Sequence, residues 1–208
     1  MTKHRNNKEH AILEAARQEF LEKGYDGART TSIARNAGVT HAMLHYYFKT
    51  KEDLFCSIFV DFIGQIGKNL TSLFEDSQKP FVELIENAMS MHFDFISENP
   101  KVPLFIIREI WSRPERIEML RQSISSTVGV LLASAQQAIE VAKSKGEINS
   151  DIDAITLFID ILALNVFPSL FLPIYNTALS QNGEKPFLEK RKQENLKLIL
   201  NRLTPQSK

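Results

Sequence analysis

Apolar residues recur at helical spacing along almost the whole chain. Ile12, Ala16 and Phe20 repeat every four residues, with Leu13 and Leu21 beside them. That is one apolar face of a helix over about 8–23. Gly24 is expected to end it in a left-handed conformation. The polar stretch Met1 to Lys8 ahead of it has no apolar run and reads as a frayed arm. Two short segments follow, Thr30–Ala37 and Thr40–Tyr47, joined at Gly38-Val39. A long helix is expected from Lys51 to about Asp76, with Pro80 suited to the first turn of the next, Phe81–Glu98. Further helices are expected over Val102–Ser112, Glu115–Lys145 (closed by Gly146), Asp151–Ser180 and Glu184–Leu203. No stretch sustains the alternation of a half-buried strand, and no repeat is present. The predicted class is all-α.

Composition changes this picture little. Of 208 residues 43% are hydrophobic and 24% charged, as in an ordinary soluble globular protein. The single cysteine, Cys56, forbids an intrachain disulfide and suits a reducing, cytoplasmic setting. The 21 residues from Ala154 to Ile174 are long and apolar enough to raise the question of a membrane span. They contain Asp160, Asn165, Pro168 and Pro173. A charge near the centre would cost roughly 2.5–3.5 kcal/mol on insertion. A helix buried between protein surfaces is the expected state, with no membrane partner.

The chemistry lies in Thr30 to Phe48. Ala34 is small enough for two short helices to cross closely, and Gly38 at the turn accepts a positive φ. Ile33, Val39, Leu44 and Phe48 supply apolar pins, and Thr40 can cap the second helix. This is the pattern of a helix-turn-helix, whose second helix enters the DNA major groove. The charge pattern agrees. From Gly27 to Lys51 there are four basic residues (Arg29, Arg35, Lys49, Lys51) and no Asp or Glu, although basic and acidic residues number 25 each over the chain. A surface facing phosphates should exclude carboxylates. Thr50 and Asp53 form a capping-box pair at the start of the next helix. Lys51 beside it opposes the helix dipole, which suits a phosphate clamp. His41 and His45, four apart, share one face with Ala42 and Tyr46 adjoining, while Leu44 and Phe48 point to the core. A zinc site on His41 and His45 is not expected, because no third ligand is near in sequence.

From Ala11 to Phe55 the chain resembles the N-terminal domain of the TetR family. The resemblance is carried by Phe20, Gly24, Tyr25 and Gly27, by the run Ile33 to Val39, and by Tyr47, Phe48, Lys51, Leu54 and Phe55. It implies phosphate contacts from Thr30, Thr31 and Lys51, phosphate or sugar contacts from Tyr46 and Tyr47, and base-edge contacts from His41, Ala42 and His45. The family usually has Tyr where this chain has His45, so its base preference cannot be carried across. The resemblance implies a DNA-binding domain over residues 1–50 and a helical ligand-binding and dimerisation domain over 51–208. It also implies a double-stranded DNA operator, a small-molecule effector and a homodimer.

The residues support that division in part. Ile152, Ile155, Phe158, Ile161, Leu162, Leu164 and Phe167 cover most of a helix circumference, and Leu196, Ile199, Leu200 and Leu203 form a stripe. A homodimer is therefore expected through the last two helices, 151–180 and 184–203. A ligand pocket is expected among the middle helices, from Phe62, Met89, His92, Phe93, Phe105, Arg108 and Trp111, although for each of these taken singly core packing is the favoured reading. Arg108 and His92 would suit an anionic ligand. No catalytic motif and no cofactor or metal motif is present, and no enzyme activity is expected. The competing expectation is a helical enzyme or protein-binding module that keeps the head as scaffold. The acid-free window and Lys51 count against it.

Overall fold

The computed structural model describes residues 2–75, 79–112, 114–179 and 184–205; within its helices the side chains of 2–6, 111–116, 173, 175–179 and 184 lie outside the described set. The described residues form nine helices and no strand: α1 (Thr2–Gly27), α2 (Thr30–Asn36), α3 (His41–Tyr47), α4 (Lys51–Glu75), α5 (Phe81–Glu98), α6 (Lys101–Ser112), α7 (Pro114–Ser144), α8 (Ala154–Leu179) and α9 (Glu184–Leu203). The all-α class holds. One boundary differs at the start. Helix α1 begins at Thr2, where an arm was expected. Apolar periodicity says nothing about a polar turn, while the lysine, arginine and glutamate there are good helix formers.

Two compact units result. The first comprises 1–64 with 104–126, the second 65–103 with 127–208. Packing thus divides the chain otherwise than a cut after residue 50, because the second half of α6 and the start of α7 belong with the head.

In the first unit, Ile12, Ala16 and Phe20 of α1 are buried with Ile33 and Ala34 of α2, Leu44 of α3 and Leu54, Phe55 and Ile58 of α4. Aromatic rings join these elements. Phe55 meets Phe20 edge-on at 5.2 Å and Tyr25 at 4.9 Å, while Phe105 of α6 packs on Phe59 at 5.2 Å. Helix α6 also closes the end of α1. Gly24 breaks helical geometry there (φ 68°, ψ 178°), and a Cβ at that position would lie 2.9 Å from both Arg108 and Glu109. Only glycine accommodates both the backbone angle and the close approach. Glu109, buried, accepts the Tyr25 amide at 3.1 Å and the Arg108 Nε at 3.3 Å. It satisfies a donor that the broken helix leaves without an internal partner.

In the second unit, α5, α8 and α9 pack together. The core runs through Phe81, Ile85 and Met89 of α5, Ile139 and Ala142 of α7, Leu157 of α8 and Ile199 and Leu203 of α9. Helix α8 is long and apolar enough to cross a membrane by composition alone. One side of it packs into the core of the second unit through Leu157, and Asn165 hydrogen-bonds the α5 backbone. An amide on a lipid-facing surface would have no such partner.

Candidate nucleic-acid interface and ligand cavity

The head is built by short-range devices. Helix α2 ends in a Schellman-type closure: Val39 N–H donates to the Ala34 carbonyl at 3.0 Å and Gly38 N–H to that of Arg35 at 3.1 Å. Gly38 has φ 67°, which makes the turn tight enough for α3 to start at once. Thr40 caps α3 by accepting from the Met43 amide at 3.1 Å. Of the seven residues of α3 only Leu44 is buried. His41, Ala42, His45 and Tyr46 are exposed, Tyr46 at 68%. The outward face is ordered all the same. Thr30 Oγ1 lies 2.9 Å from His41 Nε2, which lies 3.2 Å from His45 Nε2; His45 Nδ1 lies 3.3 Å from the Lys49 carbonyl. That carbonyl can only accept, so His45 Nδ1–H donates to it. Tyr46 and Tyr47 meet edge-on at 5.5 Å.

Next along the chain, Thr50 and Asp53 make the capping box: Asp53 N–H donates to Thr50 Oγ1 at 3.0 Å and Thr50 N–H to Asp53 Oδ2 at 3.1 Å. Lys51 lies in the first turn with its Nζ 4.6 Å from the Tyr25 ring centre. The Tyr25 hydroxyl bonds Glu52, and that bond above all holds the Glu52 carboxyl below its ordinary pKa. The Glu52 carboxylate is thus held by a residue of α1.

The second unit holds a partly open cavity of about 50 Å³ whose wall includes Leu70, Phe74, Ile85, Leu131 and Phe158. Among the described residues His92 of α5 is the one polar side chain in that wall. It is 7% exposed, and burial lowers its pKa to about 4, so its imidazole is neutral at pH 7. Behind it runs a buried polar chain. Asn165 Nδ2 donates to the Met89 carbonyl and lies against His92 Nδ1, each at 3.2 Å. Asn195 Nδ2 donates to Asn165 Oδ1 at 3.1 Å and to the Leu164 carbonyl at 2.7 Å, and Arg191 Nε donates to Asn195 Oδ1 at 3.0 Å.

Residues 12–58 match the family described as bacterial regulatory proteins, tetR family. The match covers the head and does not extend into the second unit. Over 144 residues it is 28% identical to the fatty acid metabolism regulator protein of Bacillus subtilis, covering 68% of this chain and 71% of that one. It is 25% identical over 159 residues to the repressor NicS of Pseudomonas putida, covering 75% and 73%. Among solved structures, the regulator FadR of Bacillus subtilis in complex with stearoyl-CoA aligns with a TM-score of 0.71 at 22% identity, over 93% of this chain and 98% of that one. FadR of Bacillus halodurans aligns with a TM-score of 0.69 at 21% identity, over 93% and 98%. At these identities the structural likeness speaks for the fold.

The head is thus a helix-turn-helix of the TetR type. There Thr30 lies beside His41 and His45 and Tyr46 meets Tyr47, while Ala42 is exposed on α3, Thr31 is exposed on α2, and Lys51 starts α4 against the Tyr25 ring. The pocket candidates scatter instead. His92 lines the cavity. Met89 and Phe93 are buried on α5. Phe62 and Phe105 belong to the aromatic core of the first unit, 6.5 Å apart. Arg108 is in that unit too, paired to Glu109 and reaching the Phe20 carbonyl at 3.5 Å, so it does not join His92 as an anion site. The Trp111 side chain lies outside the described residues. Asn165 and Asn195 were not selected. The available signal was an amide standing alone in an apolar run, since such a group needs a buried partner.

Proposed function

We propose that this chain is a cytoplasmic homodimeric repressor of the TetR family whose α3 helices read a near-palindromic operator. An apolar, acyl-bearing effector in the second unit's cavity releases it. The observation that carries the reading is the pairing of an ordered, acid-free α3 face with a cavity walled almost wholly by hydrocarbon. His41, Ala42 and His45 would contact base edges; Thr30, Thr31, Tyr46, Tyr47 and Lys51 would hold phosphate and sugar. Similarity to regulators of fatty acid metabolism, one solved with stearoyl-CoA, supports an acyl effector.

The dimer would form on α8 and α9. Ile155, Ile159, Ala163 and Phe167 recur every four residues as an exposed stripe on α8, with Ile174 at 67% exposure beyond them and Leu198 exposed on α9. Monomeric proteins rarely expose a contiguous apolar patch of this kind. To read a near-palindromic operator, the two recognition helices of such a dimer must lie about 34–36 Å apart, one DNA turn. The cavity as described admits only a few atoms, so a longer chain must part its walls. Its binding energy would then favour a second conformation, and it can shift the equilibrium only by its differential affinity. Helix α4, with Lys51 in its first turn and Leu70 and Phe74 at the cavity, is the proposed lever.

The test is selection from random duplexes at two salt concentrations, followed by challenge of the recovered site with stearoyl-CoA. We expect a near-palindromic motif, lost in the Lys51→Ala, Tyr47→Ala double variant, and release by the acyl thioester but not by free coenzyme A. Sequence-blind retention would refute the operator, and an unmoved complex would refute the effector.

A further inference from the structure

The amides behind His92 fix the direction of every hydrogen bond in their chain. The Met89 and Leu164 carbonyls can only accept. The nitrogen of Asn165 must therefore face Met89, and that same Nδ2 donates to His92 Nδ1. The nitrogen of Asn195 must face Leu164, and it donates to Asn165 Oδ1. Arg191, which can only donate, closes the far end on Asn195 Oδ1. With Nδ1 an acceptor in a neutral ring, the proton sits on Nε2. Among the described residues no hydrogen-bond partner of His92 Nε2 is found, and His92 is the only polar side chain in the cavity wall.

A donor without a protein partner at an apolar cavity rewards a ligand that supplies an acceptor. We propose that His92 Nε2–H is the specificity-determining donor of this cavity: it selects an otherwise apolar molecule carrying an uncharged acceptor oxygen, such as an ester, thioester or ketone carbonyl. Asn165 is the positioning residue that holds the proton on Nε2. A carboxylate is not the matched ligand, because it would need a cation or several donors in place of one N–H amid hydrocarbon. The proposal rests on reading the cavity as the effector site.

Calorimetric titration of the purified full-length protein with 2-octanone, octane and octanoate tests it, using wild type, His92→Phe, His92→Leu and His92→Gln. The alkane corrects for apolar transfer, so the informative quantity is the ratio of ketone to alkane affinity. That ratio should fall about tenfold in the folded apolar variant, the worth of one neutral hydrogen bond, and be largely kept by H92Q, which retains an N–H. Octanoate should bind weakly throughout. A ratio unchanged in H92F and H92L, with both probes bound, overturns the role of His92 and leaves the cavity reading intact. Octanoate preferred by wild type over the ketone, and lost with His92, overturns the uncharged acceptor. No binding of any probe to wild type refutes the cavity as a ligand site, and the proposal with it.

Discussion

Helices α3 and α8 turn outward the side chains that a solitary globule would treat in opposite ways. On α3, seven residues long, histidines, tyrosines and a cap are exposed around one buried leucine. On α8, 26 residues long, isoleucines and a phenylalanine are exposed while asparagine and serine are buried: Phe167 is 54% exposed and Asn165 is 1% exposed. The contrast supports the partner proposed for each surface. Polar groups ordered without acid suit a charged, hydrated duplex. An apolar stripe suits a surface of the same kind, most simply its own copy.

Breaking the apolar side of the comparison should give the largest effect. Ile159→Glu with Phe167→Glu places four like charges in the proposed dimer, counting both copies. Central interface side chains are worth about 2 kcal/mol or more each, so the dimerisation constant should weaken about 100-fold or more. Sedimentation equilibrium reads this directly. Both side chains are exposed in the described chain, so circular dichroism should show the helices intact. A double variant as dimeric as the parent would move the interface elsewhere.

The polar side can be sharpened by separating its two kinds of contact. His45→Ala should relax preference at one base position and cost about 1–3 kcal/mol on the preferred duplex. Lys51→Ala should weaken all duplexes alike and reduce the magnitude of the salt slope by about one. Titrations on matched and single-base-changed duplexes over a salt series distinguish the two. If both variants changed the salt slope and neither changed base preference, α3 would be a phosphate-binding element and the reader would have to be sought elsewhere.

The two regions also differ in how far sequence revealed them. The head was legible because its devices span a few residues: Thr40 to Met43, Gly38 to Arg35, Thr50 to Asp53. Helix type was legible nearly everywhere, and α5 and α9 have the boundaries that apolar period and flanking breakers indicate. The start of α8 was placed three residues early because Asp153 is its cap, accepting from the Thr156 amide at 2.9 Å, and not its third residue. The pocket was poorly legible, because periodicity shows that a residue is buried but not against what. Phe62 and His92 read alike on their helices. The pairing of Glu109 with Tyr25, 84 residues away, sorts α6 with the head, and no local pattern reports it.

The smallest predicted effect separates a helix held by its cap from one held by its packing. Thr40→Ala removes the bond to Met43 and leaves α3, only seven residues long, with an unsatisfied first turn. The cost should be about 1 kcal/mol. In a chain of this size that is a fall in Tm of roughly 2–4 °C. Operator affinity should drop with it, because the exposed face of α3 has little packing to hold it once the cap is gone. Thr40→Ser should restore both. Asp153→Ala removes the corresponding bond from α8, whose 26 residues are anchored along their length by core contacts and by Asn165. It should leave operator affinity unchanged. Equal losses of DNA binding in T40A and D153A would mean that the operator responds to general stability, and the local ordering of α3 would then have no special part in reading DNA.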